Sequence, residues 1–356
     1  MNKNWLIRNY EDGDEDKINT LLNFVYKINR SLSYWYWEFK GNPEGSKILL
    51  AVDESNIVGH LASLKRKIKI HESEILASLE VEGVTHPKYG RQGIFVTLGQ
   101  KMLSESKKEG IDIVYGFPNE NALPGHRKLK CFEIFSLHVM IRPVDFKKVS
   151  QKMFSNRILV FFANLAGRAA FKVFYRPKRP HYDDMVIKTI TQFDSRTDDL
   201  WKEAQAAHDI ILRRDSTYLN WRYTQCPEKH YKIFVAEKDN ILLAWVVVRI
   251  LEKFGLNNGA IVDLLASPNQ KEAVHALILK AMEDLQQEGV DLMACSIPKS
   301  SDYYKILKKC GFITCPKNLN PKEEPFIIYP LSEELNLEFV KEPANWFITW
   351  GDTDVV

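Results

Sequence analysis

No two of the five cysteines, Cys131, Cys226, Cys295, Cys310 and Cys315, stand in a C-x-x-C spacing, and their number is odd. That speaks against a disulfide framework and a zinc ribbon, and predicts reduced thiols with no metal site. A run of about 18 to 20 apolar residues, the length a membrane-spanning helix needs, is also missing. The opening "MNKNWLIRNYEDGDEDK" turns acidic before any useful apolar run, unlike a secretory or transit sequence, so the expectation is a cytoplasmic protein. Nor does charge of one sign dominate: 49 Lys and Arg against 46 Asp and Glu leave +3. No nucleic-acid partner is expected, and any basic surface must be local.

What is present is the balance of a folded chain, 45% hydrophobic and 27% charged residues. At 356 residues the chain is too long for one ordinary core and suits two domains.

The two halves resemble each other. "WEFKGNPEGSKILLAVDESNIVGHLASL" from Trp37 aligns with "WRYTQCPEKHYKIFVAEKDNILLAWVVV" from Trp221. Trp37, Phe39 and Pro43 of the first answer to Trp221, Tyr223 and Pro227 of the second, and each then runs strand, polar turn, strand, as a hairpin does. "GIDIVYGFPNENALPGHRKLKCF" from Gly110 matches "GVDLMACSIPKSSDYYKILKKCGF" from Gly289, and "WLIRNY" matches "MVIKTI". Three matches in one order indicate a duplication with a period near 180 residues, right for tandem domains. Each half reads strand, helix, hairpin, longer strand, helix, strand, helix, which is an α+β layout. The expected divisions are a first domain at 1–143, a linker at 144–184, a second domain at 185–330, and an aromatic C-terminal segment at 331–356 that docks on the body.

From Lys147 to Arg179 the linker carries nine Lys or Arg and no acid, around "ILVFFANLAGRAAFKVF". Two readings fit: a helix packing its apolar face between lobes, or a basic amphipathic helix making peripheral contact with an anionic membrane.

The stretch "THPKYGRQGIFVTLGQKM", Thr85 to Met102, follows a β-branched run and leads into a helix with Ile94, Leu98, Met102 and Phe95, Leu103 at helical spacing. Gly110 supplies its stop. A glycine-containing loop opening a helix offers free N–H groups, a partial positive charge from the dipole and a full one from Arg91. It serves as an anion cradle, for a phosphate above all, or as a plain strand-to-helix turn with a solvated arginine.

The strand, the loop "VTHPKYGRQGIF" and the later "VYGFPNENALPGHRKLKCF" together resemble the GNAT superfamily of acyl-CoA-dependent N-acyltransferases, over nearly all of residues 1 to 142. The resemblance implies two tandem GNAT-like domains, each a mixed, mostly antiparallel sheet flanked by helices. It implies that backbone amides of the loop, written Q/R-x-x-G-x-G/A in the family, hold the pyrophosphate of coenzyme A. Here those positions are Gly90, Arg91, Gln92, Gly93, Ile94 and Phe95; Gly90 replaces the usual Arg or Gln, and Phe95 the usual Gly or Ala. Backbone at Val84 and Thr85 would meet the acyl-pantetheine, and Asn119 or Asn121 would hold its arm. The matching "LLASPNQKEAVHALILKAM" has no loop glycine, so the second domain reads as a GNAT fold without a cofactor site.

Deprotonating an ammonium needs a base. Glu80 and Glu82, two apart on a strand that should be covered on both sides, are the candidates, with Glu82 the choice. The family's tyrosine acid is absent: Arg127 stands there, with His126 beside it as the alternative donor. Asp352 and Asp354, past the aromatic tail "NWFITW", are either ammonium binders or a solvated acidic end. The function expected is N-acetyl transfer from acetyl-CoA, without metal, to a small-molecule, sugar or peptide amine. The alternatives are a tandem-GNAT transferase using a larger acyl or aminoacyl donor, and a non-catalytic protein that binds acyl-CoA or a partner.

Overall fold

The computed structural model describes residues 4–174, 184–253, 255–320 and 324–354. Residues 175–183 of the expected basic linker lie outside the described residues, as do Val355 and Val356 of the tail. The first half runs β1 (Leu6–Asn9), α1 (Glu15–Tyr26), α2 (Leu32–Trp35), β2 (Ser46–Asp53), β3 (Asn56–Ile70), β4 (Ser73–Thr85), α3 (Ile94–Lys108), β5 (Ile113–Gly116), α4 (Leu123–Lys128), β6 (Phe132–Ser136) and β7 (Val139–Pro143). Helices α5 (Phe146–Met153) and α6 (Arg157–Phe174) follow. The second half runs β8 (Val186–Ile190), α7 (Arg196–Ala204), β9 (Ile210–Leu212), α8 (Ser216–Leu219), β10 (Lys232–Lys238), β11 (Ile241–Lys253), β12 (Leu256–Ala266), α9 (Lys271–Gln287), β13 (Leu292–Ser296), α10 (Asp302–Lys309) and β14 (Ile313–Thr314). The chain closes with β15 (Pro325–Pro330), α11 (Leu337–Lys341) and β16 (Trp346–Phe347).

The chain divides into two compact units. The first comprises residues 1–136, 225–229 and 324–345; the second comprises 137–224, 230–323 and 346–356. The first unit's sheet has the order β1-β2-β3-β4-β5-β15-β6, with β4 and β5 parallel and its other pairs antiparallel. The second unit's sheet has the order β14-β7-β13-β12-β11-β10-β8, with β12 and β13 parallel. Both sheets are therefore mixed, mostly antiparallel and covered by helices, as an α+β reading requires. In each, the strand beside the end strand comes from the opposite half of the sequence: β15 between β5 and β6, and β7 between β13 and β14.

The duplication extends to local detail. Ser31 caps α2 by accepting from the Tyr34 amide, and a π-turn at Tyr36–Lys40 follows. Asp215 caps α8 by accepting from the Tyr218 amide, and a π-turn at Asn220–Thr224 follows. Within the first unit the apolar stripe of α3, Ile94, Leu98 and Met102, is buried against Trp5, Leu49, Ala51, Val58 and Leu61. That packing fixes where the helix starts, and so where the loop before it opens.

Candidate active site

Helix α3 begins at a loop whose conformation only certain residues reach easily. Gly93, the residue before the helix, has φ +82°, and Arg91 has φ +63°. No side chain caps the helix, so its first amides are left to point outward. The residues that carry them, from Gly93 to Val96, line a cleft of about 630 Å³ in the first unit. Val84 and Thr85 at the end of β4, Gly90, Arg91, Gly93, Ile94 and Phe95 from the loop and helix, and Asn119 and Asn121 beyond β5 all line it. Of the cofactor-contacting residues expected from sequence, Gln92 alone is not in the lining; its side chain accepts from Trp5 Nε1 at 3.1 Å.

Phe95, where the family pattern has a small residue, is accommodated by two glycines. A Cβ on Gly83 would lie 2.7 Å from its ring, and one on Gly125 would lie 2.5 Å from it. Its ring meets His126 edge-on at 5.1 Å.

Glu80 and Glu82 do not act together, contrary to the face-sharing expected of strand residues two apart. The register of β4 on β3 shifts between His60 and Ala62, and Glu82 adopts φ +52°, so a bulge breaks the pleat between the two acids. Buried His60 donates from Nδ1 to the Glu82 carbonyl at 2.8 Å. A carbonyl only accepts, so this bond fixes the tautomer, and burial pushes the imidazole down to about 4.

The Glu82 carboxylate turns to Arg30, with which it forms a close ion pair. Arg30 also binds Glu38 at 2.9 Å and donates from Nε to Asn19 at 3.2 Å. Burial works against the guanidinium, but Glu82 and Glu38 outweigh it and hold it charged. Glu80 turns instead toward α4, where its Oε1 lies 3.6 Å from His126 Nε2. Burial pushes Glu80 up to about 8 and His126 down to about 4, so both are neutral at pH 7. The other His126 nitrogen lies 2.8 Å from the Tyr329 hydroxyl. Tyr329 is buried, which raises its pKa and keeps it protonated. It comes from β15, 203 residues away from His126, so a tyrosine does stand beside α4, although not on it. Arg127, at the family's tyrosine position, pairs with Glu133 on the surface.

The sequence of residues 6–127 matches the family described as Acetyltransferase (GNAT) domain. Residues 6–127 carry a GNAT domain. No curated protein matches it in sequence. Among solved structures it is similar to a conserved protein of unknown function from Enterococcus faecalis V583, a probable N-acyltransferase. That match has a TM-score of 0.66 and 11% identity, covering 92% of this chain and 73% of the other. A GCN5-related N-acetyltransferase from Anabaena variabilis matches with a TM-score of 0.65 and 11% identity, over 92% and 73%. The N-myristoyltransferase of Saccharomyces cerevisiae, solved with myristoyl-CoA, matches with a TM-score of 0.61 and 11% identity, over 93% and 80%. These likenesses show a shared fold, and together with the domain match over residues 6–127 they support acyl transfer. Among the described residues no group of side chains could hold a metal.

The second unit differs at the matching place. Its helix α9 follows Pro268 and Asn269 with no glycine and carries Glu272 in its first turn, where a negative charge disfavours an anion. Arg214 there is fully buried, bound to Asp263 at 3.1 Å and to Asp352 at 2.6 Å. Asp352 is neither a solvated end nor an ammonium binder in the cleft; it closes this buried network with Thr349, whose hydroxyl donates to Asp263 at 2.8 Å. Asp354 is exposed.

Sequence reasoning missed Arg30, His60 and Tyr329. The repeat carried a signal for the first, since Arg30 and Arg214 each stand just ahead of the capped Tyr-containing turn. Nothing local marks Tyr329.

Proposed function

We propose that the chain transfers an acetyl group from acetyl-CoA to an amine, with the donor held in the cleft of the first unit. One observation carries the reading: α3 starts uncapped, behind left-handed Arg91 and Gly93, and opens into a cleft bordered by the end of a bulged strand. The donor supplies an activated acyl thioester. The loop and first-turn amides from Arg91 to Phe95 hold its diphosphate with the help of the helix dipole. Gly90 and Gly93 keep side chains out of that cradle. Backbone of Val84 and Thr85, fixed by the bulge, orients the acyl end. Asn119, whose Oδ1 already accepts from the amides of Asn121 and Ala122 at 3.0 Å, presents its NH₂ to the pantetheine arm, and Asn121 flanks it.

An alkyl ammonium, with a pKa near 10.4, must lose a proton before attack. Glu82 takes it in this reading, and Arg30 holds the carboxylate in place. For the leaving thiolate, the Glu80–His126–Tyr329 group stores a proton. Glu80 at about 8 lies close to a thiol's 8.5 or so, the matching that proton transfer favours. The group sits behind Phe95, so its proton reaches the cleft past that ring.

Calorimetric titration of acetyl-CoA, with Gly93→Asp as control, tests the cradle. One site per chain, lost in the variant with the fold kept, supports it; no binding by the native chain overturns it. Thiol release with an amino sugar, a polyamine and a peptide amine then tests turnover. Binding without release from any amine would instead mark an acyl-CoA-binding protein.

A further inference from the structure

Helices α5 and α6 belong to the second unit and stand apart from the cleft chemistry. In α6, Val160, Asn164, Gly167 and Phe171 recur at the spacing of one helix face. This face packs on α5: a Cβ on Gly167 would lie 2.7 Å from the Phe146 ring, and the Phe146 and Phe171 rings meet at 5.0 Å. At 100° per residue, Ile158, Phe161, Phe162, Leu165, Ala169 and Val173 fall together on the other side. Phe161, Phe162 and Leu165 are 63%, 59% and 57% exposed, and Ile158 and Val173 more so. Single exposed apolar residues are ordinary, but a contiguous face of this kind marks an interaction surface.

Charge says what covers it. From Lys147 to Lys172 the two helices carry six bases and no acid. Arg157 and Arg168 are exposed and border the apolar face on one side, and exposed Lys172 stands within its arc near the C-terminal end of α6. Lys147 and Arg157 line a groove of about 530 Å³ together with Phe154 and Phe161. An apolar strip bordered by cations on one side, with cations in the adjoining groove, fits acyl chains below and anionic headgroups beside them. No described helix is long and apolar enough to cross a membrane. We propose that α6 lies in the plane of an anionic lipid surface, its Ile158–Val173 face in the acyl region and its bases on the headgroups.

The test is co-sedimentation of the full chain with vesicles of phosphatidylcholine alone and of phosphatidylcholine with phosphatidylglycerol. Several bases near an anionic surface predict binding about tenfold or more stronger to the second, weakened by salt. The variant Phe161→Asp/Phe162→Asp/Leu165→Asp changes only exposed positions, so it should keep its circular dichroism and thermal midpoint while losing the anionic vesicles. Equal binding to both vesicles, no binding to either, or binding unchanged in the variant overturns the proposal. Sedimentation velocity covers the rival occupant: a native dimer that the variant turns into a monomer would assign the face to a second copy and overturn it as well. None of these readouts depends on the acyl-transfer reading.

Discussion

Arg30, buried, and Glu82, part-buried, form an ion pair at the bulge of β4, and the second unit repeats the arrangement with fully buried Arg214 and Asp263. The correspondence is positional: each arginine precedes the capped tyrosine turn, and each acid stands five residues before the proline that ends its strand, Pro87 or Pro268. The units differ in the second carboxylate. Arg30 takes Glu38 from its own turn, and Arg214 takes Asp352 from the C-terminal segment. The C-terminal segment thus fills in the second unit a place that local residues occupy in the first.

Replacing Arg30 should be costly. Arg30→Met removes the guanidinium shared by buried Glu38 and part-buried Glu82, and breaking a buried pair in this way costs about 3 to 5 kcal/mol. Urea unfolding of the native chain and of the variant checks this, and Arg30→Met/Glu82→Gln should recover part of the loss. A loss below about 1 kcal/mol would mean that the pair is solvated.

Glu80 and His126 predict opposite pH dependences. Burial raises Glu80 from 4.5 to about 8, so its stability contribution is full below 4.5 and declines as pH rises through 8. His126 is lowered from 6.5 to about 4, so its contribution is full above 6.5 and declines as pH falls through 4. Glu80→Gln should therefore gain on the native chain from pH 5 to pH 9, by at most about 1.4 kcal/mol for each pH step of one. His126→Gln should flatten the acid side. Midpoints of thermal unfolding from about pH 3.5 to pH 9 decide it, and a gap that does not change with pH would refute the assignment.

Phe95 should be coupled to the glycines around it. Gly125→Ala places a methyl group against the ring, an overpacking that costs about 1 to 3 kcal/mol. Phe95→Leu alone costs packing too, yet the double variant should be more stable than the sum of the two losses allows. A double-mutant cycle by urea unfolding, with acetyl-CoA affinity in parallel, reads this coupling. Additive losses would show that the ring yields freely.

Asp352→Ala should destabilise the second unit more than a surface change does. It removes one of the two carboxylates on fully buried Arg214, and with it the acceptor for the Thr349 amide at 2.8 Å. The expected loss is about 3 kcal/mol or more. Tryptophan fluorescence during urea unfolding follows it, because Trp346 and Trp350 are buried in the same segment. Asp354→Ala, at an exposed position, is the control and should stay within about 0.5 kcal/mol.

The sequence by itself determined what repeats and what is periodic. Hydrophobic spacing from Ile94 to Met102 located α3, the glycines of "KYGRQG" located its loop, and the match between halves announced two sheets of one design. These signals are local, because helix period, turn chemistry and strand alternation act within a few residues. Tertiary structure decided the rest. A regular pleat would have aimed Glu80 and Glu82 alike, but the bulge, which depends on pairing with β3 and on His60, sends them to His126 and Arg30. Tyr329 reaches His126 only because β15 enters the sheet between β5 and β6, and Asp352 reaches Arg214 only because the C-terminal segment is buried. Tyr329 lies 203 residues from His126 and Asp352 lies 138 from Arg214, and what selects such partners is the satisfaction of buried charges and strand edges, which exists only once the chain has folded.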